Sequence, residues 1–104
     1  MSFTGNEDHS ITLADAAVLT KKYRDSVPDG SRKGGFFGRA ALEAILAQDT
    51  CVGIRYYHGI NDRDEPVLVL VGADRDENDL YNGALAEIAM PCPTLCSTNN
   101  PLNR

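Results

Sequence analysis

No stretch of the chain approaches the roughly 20 consecutive apolar residues that a membrane-spanning helix needs. The opening residues, Met1-Ser2-Phe3-Thr4-Gly5-Asn6-Glu7-Asp8, hold neither a positive cluster nor an apolar run, so no secretory signal is visible. Cysteine is scarce and odd in number, three in all. That suits a reducing compartment better than a disulfide framework. Positive charge is also in deficit: 10 Lys and Arg stand against 15 Asp and Glu, a net charge of −5. A phosphate backbone or an anionic membrane is repelled on average, which sets both aside as partners. These absences together lead to the expectation of a cytoplasmic protein.

What is present is ordinary for a folded chain. Hydrophobic residues make up 42% and charged residues 24%, so wholesale disorder is not indicated. A chain of 104 residues affords one modest core. The expected organisation is a flexible N-terminus over 1–10 and a single α+β domain over 11–104. Neither an internal repeat nor a low-complexity tract interrupts it.

Local patterns assign the elements. Thr12 can cap a helix, with Asp15 at the capping-box position and Ile11 ahead of it. Leu13, Ala16, Ala17, Thr20, Tyr23 and Val27 form its apolar stripe, and Pro28-Asp29-Gly30 stops it. Residues 28–38, rich in glycine, read as a linker. A second helix follows over roughly 39–48, with Ala41, Leu42, Ile45 and Leu46 on one face. Residues 51–58 and 66–73 read as strands joined by a polar turn, an antiparallel hairpin in which Pro66 is tolerable because it opens its strand. Residues 84–90 suit either a short helix or a third strand. Prolines 91, 93 and 101 make the C-terminal tail irregular. The expected fold is therefore α+β: two N-terminal helices packed on a hairpin-based antiparallel sheet, with a Pro- and Cys-containing tail.

The second strand is apolar on both faces, with Val67, Val69 and Val71 on one and Leu68 and Leu70 on the other. A half-exposed strand would alternate with polar residues. Both faces need cover, and an isolated hairpin is marginal. Either the helices and tail cover everything, or a second copy does. Two-fold homodimers are the commonest oligomers. Arg55, Tyr56 and Tyr57 add residue types favoured at interfaces, though equally at home on a sheet covered by helices; the expected interface is Arg55, Tyr56, Tyr57, Val67, Val69 and Val71.

The runs Cys51-Val52-Gly53-Ile54-Arg55-Tyr56-Tyr57, Leu68-Val69-Leu70-Val71-Gly72-Ala73-Asp74, Pro91-Cys92-Pro93-Thr94-Leu95-Cys96-Ser97 and Asn100-Pro101-Leu102 follow one another in order. In that combination the chain resembles a family of small uncharacterised bacterial proteins, from about the first helix to the C-terminus. The resemblance implies a bacterial, cytoplasmic, self-contained domain. It transfers no catalytic residue.

Four sets of residues bear on chemistry. Cys92 and Cys96 have three residues between them, where redox and zinc-ribbon motifs usually have two. A structural zinc (or an iron) would need Cys51, Cys92, Cys96 and either His9 or His58, yet nothing in the spacing requires them to converge. Packed thiols or a labile disulfide are the plainer reading. Cys51 and His58 are not a nucleophile and base: they lie roughly 23 Å apart at about 3.3 Å per strand residue, and odd spacing puts them on opposite faces. Asp74, Asp76 and Asn78 open like a calcium loop, but the sixth position is Asp79 instead of glycine and the twelfth is Leu85 instead of glutamate. Arg32, Lys33 and Arg39 among glycines could hold an anion, although the phosphate-loop ending is missing and Phe36 and Phe37 suit anchoring better than stacking.

The residues thus favour a non-enzymatic interaction or structural module that forms a homodimer. The alternatives are a thiol- or metal-binding protein built on Cys92 and Cys96, and a small anion binder built on residues 30–39.

Overall fold

The computed structural model describes residues 2–87 and 90–104. Along the chain lie α1 (Leu13–Asp25), β1 (Gly34–Phe36), α2 (Arg39–Leu46), β2 (Cys51–Ile60), β3 (Pro66–Asp74), β4 (Leu85–Glu87) and β5 (Met90–Cys92). All strand pairing is antiparallel, in a three-stranded sheet ordered β2-β3-β4 and a two-stranded sheet of β1 and β5. The architecture is mixed α+β. It divides into two units, residues 2–7 with 37–87, and residues 8–36 with 90–104.

The first unit is built on the hairpin. Its turn is organised by Asn61, whose side-chain oxygen accepts from the N–H groups of Arg63 (2.9 Å) and Glu65 (3.0 Å). Such a side-chain turn replaces the backbone bonds the chain loses on reversing. Pro66 sits at the first position of β3, where its missing N–H breaks no interior ladder bond. The two strands pair from Ile60 opposite Pro66 to Gly53 opposite Ala73. Val52 is then an extra residue in β2, because Cys51 pairs with Asp74 directly after that.

β3 runs between β2 and β4 and carries most of the core. Leu70 is buried on one face, and Val67, Val71 and Ala73 on the other, Val71 being only 3% exposed. The shelter that this doubly apolar strand needs is provided at these positions within one chain. Burying each valine or leucine of this kind stabilises by roughly 1.5–3 kcal/mol. α2 packs on β2 and β3. It contributes Ile45, 1% exposed and the most deeply buried large side chain among the described residues.

Just past the end of α2, Gln48 ties helix to sheet. Its amide donates to the Ile45 carbonyl (2.8 Å), and its oxygen accepts from the Ala84 N–H (3.0 Å). The amide lies where side chains at Gly72 and Gly83 would otherwise stand. Residues 85–87 are a strand, which decides the choice left open for 84–90; Ile88 and Ala89 lie outside the described residues. Residues 3–7, read from sequence as a flexible end, make defined bonds. The Phe3 N–H donates to the Arg75 carbonyl (2.9 Å), and the Glu7 carboxylate accepts from the Thr4 and Gly5 N–H groups (2.9 Å each). A side chain at Gly5 would run into the Val52 carbonyl, so this segment lies close beside the start of β2.

The second unit is held differently. α1 is capped as its sequence implies, the Thr12 hydroxyl accepting from the Asp15 N–H at 3.1 Å. It buries no residue, and Leu13, Val18, Leu19 and Tyr23 stand exposed. Part of the glycine-rich linker is β1, and part of the supposedly irregular tail is β5, with Gly34 opposite Cys92 and Phe36 opposite Met90. Pro91 is accommodated because both strands of a two-stranded sheet are edges. The C-terminus is tied down by cations. The Arg24 guanidinium donates to the carbonyls of Leu102 (2.6 Å) and Arg104, and the Lys33 ammonium to that of Asn103 (2.8 Å).

Candidate functional site

β2 is an edge strand of ten residues, and its sequence gives it an unusual rim. Edge strands are normally protected by lysine, proline, charge or a bulge. β2 contains no lysine, proline, aspartate or glutamate. Its bulge at Val52 and the neighbouring Gly5 protect only its beginning. Over residues 54–60 the strand presents Tyr56 (59% exposed), Tyr57 (49%) and Ile60 (74%). The Tyr56 and His58 rings, two apart on one face, meet edge to face with centroids 5.5 Å apart.

The opposite face of β2 carries a polar network. Arg55 and Tyr57 point to the same side. Both reach Asp79, which bridges to Ala73 on that side of β3. The Arg55 guanidinium donates to one Asp79 carboxylate oxygen and to the Glu77 carbonyl (3.1 Å); the Tyr57 hydroxyl donates to the other carboxylate oxygen at 2.5 Å. Phe3 lies 5.5 Å beneath the guanidinium. The Tyr57 hydrogen bond, followed by that of Arg55, holds the Asp79 carboxyl below the ordinary range of an aspartate. The same bond to Asp79 raises the Tyr57 phenol and the Arg55 guanidinium. The Arg55 charge is thereby paired with that of Asp79. Asp79 was not singled out from the sequence; it sits in a polar run whose other members close the loop. Asp74 supplies that closure, one carboxylate oxygen accepting from the N–H groups of Asp76 (2.9 Å) and Asn78 (3.0 Å). The oxygen that resembles a calcium ligand is used on its own backbone.

The six interface residues proposed from sequence fall into three groups. Tyr56 and Tyr57 are exposed on the rim. Arg55 is engaged with Asp79, and Val69 is half-buried between Tyr57 and Glu87 in the pairing. Val67 and Val71 are buried inside the chain and present nothing outward.

The sulfur residues separate. Cys92 and Cys96 are joined by a disulfide in the second unit. It closes a ring of five residues and in the chain-entropy account stabilises by about 2 kcal/mol. Cys51 is a free, half-buried thiol in the first unit, donating to the Gly53 carbonyl (3.2 Å). The metal reading needs thiolates that the disulfide removes. Among the described residues no group of three or more His, Cys, Asp and Glu side chains could hold a metal ion. The bulge corrects one expectation: it turns Cys51 to the face of Gly72, the face that also carries Tyr56 and His58. Cys51 and His58 still lie at opposite ends of the strand, roughly 20 Å apart at about 3.3 Å per residue. The anion reading also divides. Arg39 pairs with Glu43 (3.7 Å) in the first unit, while Lys33 holds the Asn103 carbonyl in the second, beside Arg32. Among the described residues no helix is long and apolar enough to cross a membrane.

No protein-family model, curated protein or solved structure matches this chain.

Proposed function

We propose that this chain is a non-enzymatic interaction module whose edge strand β2 pairs antiparallel with β2 of a second copy. The carrying observation is the rim over residues 54–60: rich in exposed aromatic and apolar side chains, with its one arginine paired to Asp79, and without lysine or proline. A two-fold axis at Tyr57 would use that stretch alone. It sets Ile54 against the partner's Ile60 and Tyr56 against the partner's His58, on one face. Val52 and its neighbouring N-terminal segment stay outside the pairing. Such a dimer joins two three-stranded sheets into one of six strands. The partner covers the tyrosines of β2, not the valines of β3, which refines the surface proposed from sequence.

The reading includes a bacterial, cytoplasmic setting, which rests on the family resemblance alone, since two of the three cysteines are joined as a disulfide. Light scattering over a concentration series tests the pairing. The mass should rise to twice the monomer for the native chain and stay at one monomer for Tyr56→Lys and Ile60→Lys, with unchanged circular dichroism. A native chain that remains monomeric at every concentration refutes the proposal.

A further inference from the structure

The disulfide of the second unit closes a short ring, where the chain-entropy stabilisation lies near the low end of its range. Its cysteines are four apart in sequence, so it fastens no two elements together. The remainder of the tail is anchored without it. Arg24 and Lys33 hold the carbonyls of Leu102, Asn103 and Arg104. Asn103 donates from its side chain to the carbonyls of Ser97 (3.2 Å) and Thr98 (3.1 Å), and the Asn100 N–H donates back to it (3.0 Å). On the other side of the ring, the Lys33 N–H holds the Cys92 carbonyl at 2.7 Å. Both ends of the five-residue ring therefore stay fixed whether or not the sulfurs are bonded. The two cysteines differ in exposure: Cys96 is exposed, and Cys92 is half-buried in β5.

We propose that Cys92–Cys96 is a thiol–disulfide exchange site for an external dithiol, with Cys96 as the sulfur attacked. A thiolate of the dithiol bonds to Cys96 Sγ, and the Cys92–Cys96 bond breaks. Cys92 leaves as a thiolate and takes up a proton. The second thiol of the reagent, once deprotonated, displaces Cys96 and closes the reagent's own disulfide. Two electrons pass to the protein, which ends with two thiols. The anchored ring ends keep those thiols within reach of each other, so re-oxidation regenerates the same pair. This site does not depend on pairing through β2.

The test uses the native full-length chain, equilibrated without denaturant in graded mixtures of reduced and oxidised dithiothreitol. The chain is then alkylated and read by peptide mass spectrometry. Labels at Cys92 and Cys96 should appear together in one transition that reverses on re-oxidation. Circular dichroism should be preserved, and Cys51 labelling should not depend on the mixture. Reduced glutathione added to the oxidised native chain and quenched with acid at short times should be found capping Cys96 about tenfold more often than Cys92. A bond that resists excess dithiothreitol, or a chain that loses its helix and sheet signal on reduction, overturns the proposal. Equal capping of the two cysteines overturns the assignment of Cys96.

Discussion

The two units of this molecule are held by different physics. The first rests on burial: Ile45, Val67, Leu70, Val71 and Ala73 all belong to it, and they are the whole set of buried hydrophobic residues among those described. The second has no such residue. It is organised by a helix cap, a short two-stranded sheet, cation–carbonyl bonds and one small disulfide ring. Burial is cooperative, because each apolar side chain in a close-packed interior depends on its neighbours. Exposed polar ties are local and individually modest. The first unit should therefore fail as a whole when cut, and the second should loosen piece by piece.

The sharpest way to break that contrast is in the first core. Ile45→Ala should cost about 2–5 kcal/mol in denaturant unfolding, because the atoms removed are almost fully enclosed. A loss under about 0.5 kcal/mol, the size seen at ordinary surface sites, would mean that α2 is not part of a cooperative interior. Next in size is Gly83→Ala, whose new methyl group meets the Gln48 side-chain oxygen. It should cost about 1–3 kcal/mol as an overpacking change. In a Gln48→Ala background most of that cost should vanish, since the obstacle is gone. Additive losses in the double variant would place the strain elsewhere.

A smaller effect belongs to pH. Asp79 has a lowered pKa, so its contribution is complete above the ordinary aspartate value and is lost as pH falls through the lower folded value. Tyr57 has a raised pKa, so its contribution is complete below the ordinary tyrosine value and is lost as pH rises through the higher folded one. Thermal midpoints measured across pH should show both limbs. Tyr57→Phe should remove the Tyr57 share of the alkaline limb and weaken the acidic one, and Asp79→Asn should shrink both, leaving on the acidic side the share of Glu7 and Asp8, whose carboxyls are also lowered. The smallest effect is expected in the second unit. Arg24→Ala should speed amide exchange over residues 100–104 while global stability stays within about 0.5 kcal/mol. A cooperative loss throughout the chain would erase the distinction between the units.

The parts of the fold legible from sequence are those that local chemistry decides. Thr12 caps α1, Pro66 opens β3, and the two-sided apolar run of β3 is central and buried. Features that depend on distant partners were not legible. β1 and β5 are three residues each, drawn from glycine- and proline-containing stretches, and they become strands only by meeting each other. The bulge at Val52 has no local signature, yet it turns Cys51 to the other face and undoes an argument from parity. Of the candidate site, Tyr56 and Tyr57 were readable as interface candidates, but whether helices cover them was not. Asp79 was hidden among polar loop residues, because its role exists only when Arg55 and Tyr57 stand over it. The tail cysteines were readable as a pair, but neighbouring residues in sequence cannot reveal the ties that hold the ring ends.

One consequence follows from the unequal lengths of the two sheet rims. β2 spans ten residues, whereas β4 on the far side is described over three, Leu85–Glu87. If two copies join through β2, the long rim of each is consumed and only the stubs remain outermost. Very short edge strands are one of the ways natural sheets resist adding a further strand. Stacking by strand addition would then stop at a closed pair, and this hairpin, despite its apolar character, would be disarmed as a seed for fibres.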